Sequence, residues 1–102
     1  MSTLHTVNKS PFTHNTLVSC LQVCGDSDAI LLLEDGVLAG IKGAPCTEEM
    51  SAAITKGIKI FALIHDAQAR GLSEKIRADI QMTDYNGFVQ LSLEHRSVQS
   101  WY

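Results

Sequence analysis

The chain has 102 residues, 45% of them apolar and 19% charged, with 8 basic against 11 acidic residues and a net charge of −3. That length suits one domain over residues 1–102 with its own core, and the composition excludes disorder, which needs low hydrophobicity and high net charge. The apolar run over residues 29–33 is five residues long and none is longer, far short of the about twenty that a membrane span requires, and the scattered lysines and arginines lack the basic footprint of a nucleic-acid binder.

In chain order, residues 4–8 read as a short strand. Ser10-Pro11 follows, a common helix opening with Ser as N-cap and Pro in the first turn, although Thr13 or Asn15 is an equally suitable cap. The helix runs to about Cys24 and stops at Gly25. Residues 29–34 form a continuous apolar run up to Glu34, as expected of a strand covered on both faces. Asp35-Gly36 then permits either a hairpin or a strand-to-helix turn. After the breakers Gly40, Gly43 and Pro45, Thr47 suits an N-cap, with Glu48 and Glu49 in the first turn where the helix dipole favours acids. That helix ends near Gly57.

Residues 58–64 read as a second buried strand ended by His65-Asp66, with short helical turns over 67–71 and 73–77. Residues 80–83 form a strand. Asp84 caps a segment carrying Phe88, Leu91 and Leu93, and residues 98–102 make a final edge strand. Strands alternating with helices predict an α/β fold with a mostly parallel sheet flanked by helices. The loops at the carboxyl ends of such strands, here 8–11, 34–36 and 65–66, are the usual places for chemistry.

No phosphate-binding glycine motif is present, and His5, His14, His65 and His95 have no zinc-ligand spacing with one another or with the cysteines. No metal and no cofactor is expected. Three cysteines, Cys20, Cys24 and Cys46, form an odd set in a chain whose first residues lack the basic start and long apolar stretch of a signal peptide. A cytoplasmic protein with reduced thiols is the expectation.

At about 100° per residue, Leu17, Leu21 and Cys24 share one narrow stripe of the first helix, and Cys20 lies on its flank. Cys24 is therefore expected in the core and Cys20 at a partly exposed helix edge. Two cysteines four apart on a helix hold their Cβ atoms about 5–6 Å apart, where a disulfide needs about 3.8 Å, so bridging them requires helix distortion. Cys46 reads as a surface-loop cysteine, Asp66 and Asp84 as turn or cap residues, and Tyr85, Phe88 and Trp101 as packing or interface aromatics.

Several segments together resemble the DsrH/TusB family: Leu4-His5-Thr6-Val7-Asn8-Lys9-Ser10-Pro11-Phe12, then Leu31-Leu32-Leu33-Glu34-Asp35-Gly36-Val37. The likeness continues through Ala62-Leu63 to Asp66, Ala69-Arg70-Gly71, Asp84-Tyr85, Gly87-Phe88-Val89, His95 and Trp101. The resemblance implies a DsrE-like fold and favours a strand-to-helix turn at Asp35-Gly36. It implies a subunit of a cytoplasmic heterohexamer holding two copies each of this chain, a DsrE/TusD-like subunit and a DsrF/TusC-like subunit. Such a complex passes persulfide sulfur from a TusA-like donor to a DsrC/TusE-like acceptor, for sulfur oxidation or for 2-thiolation of the tRNA wobble uridine. The main sulfur-carrying cysteine is expected on the DsrE/TusD-like sister. Cys20 stands where sulfur-oxidiser members carry a cysteine, and residues 5–12 also look closer to that branch. Cys20 is thus the candidate auxiliary persulfide carrier or docking thiol. Neither membrane nor direct nucleic-acid contact is expected.

Overall fold

The computed structural model describes residues 2–102. Five strands, β1 (Thr3–Val7), β2 (Ala29–Leu32), β3 (Lys59–Leu63), β4 (Gln81–Thr83) and β5 (Ser97–Trp101), form one sheet in the order β4-β3-β2-β1-β5. Every neighbouring pair is parallel. Helices α1 (Thr16–Val23), α2 (Thr47–Thr55), α3 (Ile64–Ala69) and α4 (Tyr85–Glu94), with a 3-10 helix over Glu34–Gly40, make the crossovers. This is the parallel α/β fold flanked by helices that the strand–helix alternation predicts. Among the described residues, no helix is long and apolar enough to cross a membrane.

The two sheet faces are covered unequally. Val7, Ile30, Leu32, Ile60 and Ala62 pack under Leu17, Cys20, Val37, Met50 and Ala67, which come from α1, the 3-10 helix, α2 and α3. Leu4, Ala29 and Leu31 form a smaller cluster under Leu91 and Phe88 of α4. Strand β2 is buried along its whole length, which accounts for its unbroken apolar sequence. The edge strand β5 is exposed at its first four positions.

Local boundaries differ from the sequence expectation where side chains take backbone partners. Ser10-Pro11 opens a separate turn instead of α1. The Ser10 carbonyl accepts from the amides of Thr13 and His14, and the Ser10 hydroxyl accepts from the Phe12 amide at 3.1 Å. The helix then starts one turn later, behind Asn15. After β2 the chain enters the 3-10 helix, so the strand-to-helix turn prevails over the hairpin. Gly36 permits it: a Cβ there would overlap the carbonyl of Val7. The N-cap of α2 is Cys46, in the left-handed region at φ 71°, and Thr47 is the first helical residue. His65 and Asp66 lie inside α3 instead of ending β3. Residues 73–77 make a turn without a helix, and Ile76 bridges Ile41. Asp84 caps α4 as expected, its carboxylate accepting from the Gly87 amide at 2.8 Å.

Candidate functional site

α1 runs back across the sheet after β1, so its last turn lies over the amino ends of β1 and β2. Leu17 and Cys20 point down onto the sheet, and Cys20 is 0% exposed. Cys24, the C-cap residue, is half-buried. This inverts the expectation from periodicity, which placed Cys24 inside and Cys20 at the edge. Leu17 pairs with Cys20 at i+3 as readily as with Leu21 at i+4, and in an eight-residue helix tertiary contact decides between the two rows. Here Leu21 and Cys24 turn towards α2. There they line a groove of about 300 Å³ together with Val18, Ala53, Lys56 and Ile58.

The two sulfurs are 3.8 Å apart. The two thiols share a hydrogen bond, and this contact holds the Cys24 thiol below its ordinary pKa against the upward push of burial and of the Asp28 charge. The same contact, with burial and the negative charges at Cys24 and Asp28, pushes Cys20 far upward. Of the pair, Cys24 is the more readily ionised thiol.

Beside the sulfurs lies a polar set that no sequence spacing announced. Asp28, just before β2, accepts from the Thr3 amide at 2.9 Å, from the Gly25 amide at 3.0 Å and from His5 Nε2 at 2.9 Å. Burial pushes its carboxyl up, but the Gly25, His5 and Thr3 hydrogen bonds outweigh this and hold it below the usual carboxylate range. The indole N–H of Trp101 reaches His5 Nδ1 at 3.0 Å. An indole can only donate, so Nδ1 accepts and the ring proton sits on Nε2, facing Asp28. The potential ligand atoms of His5, Cys20 and Cys24 lie within 4.8 Å of one another, yet both His5 nitrogens are committed. A metal on Nε2 would force a proton onto Nδ1, against the indole N–H. The cluster is a dithiol beside a saturated polar anchor.

The carboxyl ends of the strands hold a second polar group. Arg70 donates from Nε and Nη2 to Asp35 Oδ1 at 3.1 and 2.9 Å and from Nη1 to the Asp66 carbonyl at 3.2 Å. Asp66 Oδ2 accepts from the Glu34 amide at 2.7 Å, which steadies Glu34 at a φ of 49°. Asp66 thus holds a turn, as its position suggested. His65 stacks on Tyr85 with centroids 5.3 Å apart. Cys46 is half-buried, and burial with the Glu49 charge raises its pKa. His14 lies apart on the surface, hydrogen-bonded to Thr13. His95 closes α4 on the Leu91 carbonyl.

An all-parallel sheet of five short strands flanked by helices defines the class: a small α/β protein of the DsrE-like fold. YchN of Escherichia coli superposes with a TM-score of 0.84 at 15% identity, covering 98% of this chain and 99% of its own. A protein of unknown function from Methanobacterium thermoautotrophicum superposes at 0.74, with 13% identity and 97% of both chains covered. Residues 9–98 match the family model described as DsrH like protein. Proteins named TusB are 40% identical in Enterobacter sp. strain 638, 36% in Pectobacterium parmentieri and 38% in E. coli K12, each over 96% of this chain and 99% of the relative. The chain belongs to the DsrH/TusB family.

Proposed function

We propose that this chain is a subunit of a cytoplasmic sulfur-relay complex, assembled with DsrE/TusD-like and DsrF/TusC-like subunits as a hexamer with two copies of each. In this reading the complex moves persulfide sulfur from a TusA-like donor to a DsrC/TusE-like acceptor. The observation that carries the subunit reading is α4, which is apolar on two opposite faces. Phe88 and Leu91 turn in to the sheet, while Tyr85, Val89 and Leu93, spaced at i, i+4 and i+8, are 54%, 58% and 75% exposed. A helix apolar on both sides is a helix buried on both sides, and obligate interfaces resemble a core cut in half. Family membership supports the sulfur chemistry, and a thiol opening on a groove suits thiol–persulfide exchange.

The test is co-expression with the two sister subunits, followed by size-exclusion chromatography and a mass-spectrometric time course of acceptor persulfidation. Leu93→Glu places a charge on the outward stripe and leaves the inward face of α4 intact. We expect the variant to fold and to weaken assembly by about 2 kcal/mol or more, the scale of an interface hot spot. Full assembly of that variant, or an acceptor that gains no sulfur from the wild-type complex, overturns the reading. The pathway served, sulfur oxidation or wobble-uridine thiolation, is decided by which of the two loses sulfur flux when the gene is deleted.

A second reading, an architectural subunit that shapes the docking surface without carrying sulfur, is favoured by the complete burial of Cys20. A thiol with no exposed surface cannot be met directly by a docking protein. Sulfur found only on the sister subunits after persulfide labelling supports this second reading over a carrier role.

A further inference from the structure

We propose that Cys24 and Cys20 work as an attacking and a resolving thiol, taking the sulfane sulfur of a persulfide in the α1–α2 groove and discharging it as sulfide. The proposal takes its oxidant, a persulfide, from the relay reading; the division of labour between the cysteines comes from the geometry. Cys24 lines the groove with Lys56 and Glu49, so an incoming persulfide meets the thiol beside one cation and one anion, in a groove with no net charge of its own. Cys20 lies directly behind it, 3.8 Å away and sealed from solvent.

In the first step the Cys24 thiolate attacks the outer sulfur of R–S–SH. A bond forms from Cys24 Sγ to that sulfur and the R–S bond breaks. The proton passes to the leaving thiolate, giving Cys24–S–S⁻ and R–SH. In the second step Cys20 Sγ attacks Cys24 Sγ, the Sγ–Sγ bond forms, and the outer sulfur leaves as HS⁻ carrying the Cys20 proton. Two thiols lose two electrons and the sulfane sulfur gains them. No outside base is required, because the proton that Cys20 retains is the one the leaving sulfur needs. His5 takes no part in the proton transfer, since its lone pair accepts from Trp101 and its proton is given to Asp28.

Bridging residues four apart on a helix demands distortion, and the structure localises it. Cys24 is the C-cap, already extended at φ −67° and ψ 134°, and its amide makes a single bond back to the Cys20 carbonyl at 3.1 Å. Gly25 follows it. Closing the bridge loosens the last turn and leaves Leu17 in the core.

The experiment treats the full chain, within its complex, with glutathione persulfide and follows each cysteine by peptide mass spectrometry alongside released sulfide. The expected course in the wild type is a transient gain of one sulfur on Cys24, then loss of two hydrogens across Cys20 and Cys24 with one sulfide released. In Cys20→Ala the extra sulfur stays on Cys24 and sulfide release is lost. In Cys24→Ser the peptide carrying Cys20 stays unmodified. Cys20→Val, also apolar, repeats the measurement should the alanine variant fail to fold. A Cys24 persulfide that persists in the wild type, or labelling of Cys20 in Cys24→Ser at the wild-type rate of Cys24, overturns the proposal. The relay reading fails on a different readout, the absence of sulfur on the acceptor, which leaves the thiol-pair measurement unaffected.

Discussion

At the carboxyl ends of the strands, Arg70, Asp35 and Asp66 are bound to one another and to backbone. At the amino ends, Asp28, His5 and Trp101 are bound just as fully, but two thiols beside them hold only each other. Loops at the carboxyl ends of parallel strands are where chemistry is expected. Here the Arg70 cluster ties the 3-10 helix to α3, with the buried Asn8 Oδ1 beside β1 left without a partner, and the thiol pair lies at the opposite edge, at the last turn of α1. A polar cluster whose members saturate one another is a strap; chemistry requires a group left over.

The strongest way to break this comparison is Asp28→Ala. The substitution leaves the part-buried Thr3 amide and His5 ring N–H without a partner, while the exposed Gly25 amide turns to water; at about 1–3 kcal/mol per stranded buried donor, partly relieved by water, we expect a loss of about 2–4 kcal/mol in chemical denaturation. The same residue sets a pH dependence. Its folded pKa lies below the usual carboxylate value, so its contribution is complete above that value and fades as pH falls through the folded pKa. Urea midpoints measured down the acid limb should show a shallower fall in Asp28→Asn than in the wild type; parallel curves contradict the assignment.

The thiols give the next largest contrast. Cys20→Ser puts a hydroxyl into a sealed apolar site and should cost about 1–3 kcal/mol if it finds no partner. Cys24→Ser, at the groove, should stay within about 0.5 kcal/mol. Equal losses, measured by thermal or urea unfolding, would return Cys24 to the core. The smallest effect belongs to the carboxyl edge. Arg70→Ala breaks a pair whose side chains are 29% and 63% exposed, so about 0–1 kcal/mol is expected, fading in salt. A larger loss in a double-mutant cycle with Asp35→Ala would make that edge more than a strap.

Much of the fold was legible because apolar runs mark β2 and β3 and because Asp84 suits the cap that opens α4. Several boundaries were not, two of them at capping residues. Ser10 carries a helix-cap signature but its hydroxyl and carbonyl close a turn instead, and Thr47 yields the cap to Cys46. At the thiol site the spacing of Cys20 and Cys24 was legible and their orientation was not, since a wheel of eight residues accepts either row until the sheet beneath and α2 alongside choose. The partners of His5 were beyond any local signal: Asp28 is 23 residues away and Trp101 is 96.

That last separation has a kinetic meaning. β1 pairs with β2 on one flank and with the last strand on the other: β5 runs along its full length, Thr3 beside Ser97 through Val7 beside Trp101. A nascent chain can lay β2 beside β1 and β3 beside β2 as they emerge, but the other flank of β1 stays open until β5 has been made. Contacts this distant slow folding, because the loop must close before they form. The chain's single tryptophan sits on that closing strand, with its indole against His5. Its fluorescence is thus a clock for the closing event, dark to everything the first ninety residues do and sensitive to the moment the sheet acquires its fifth strand.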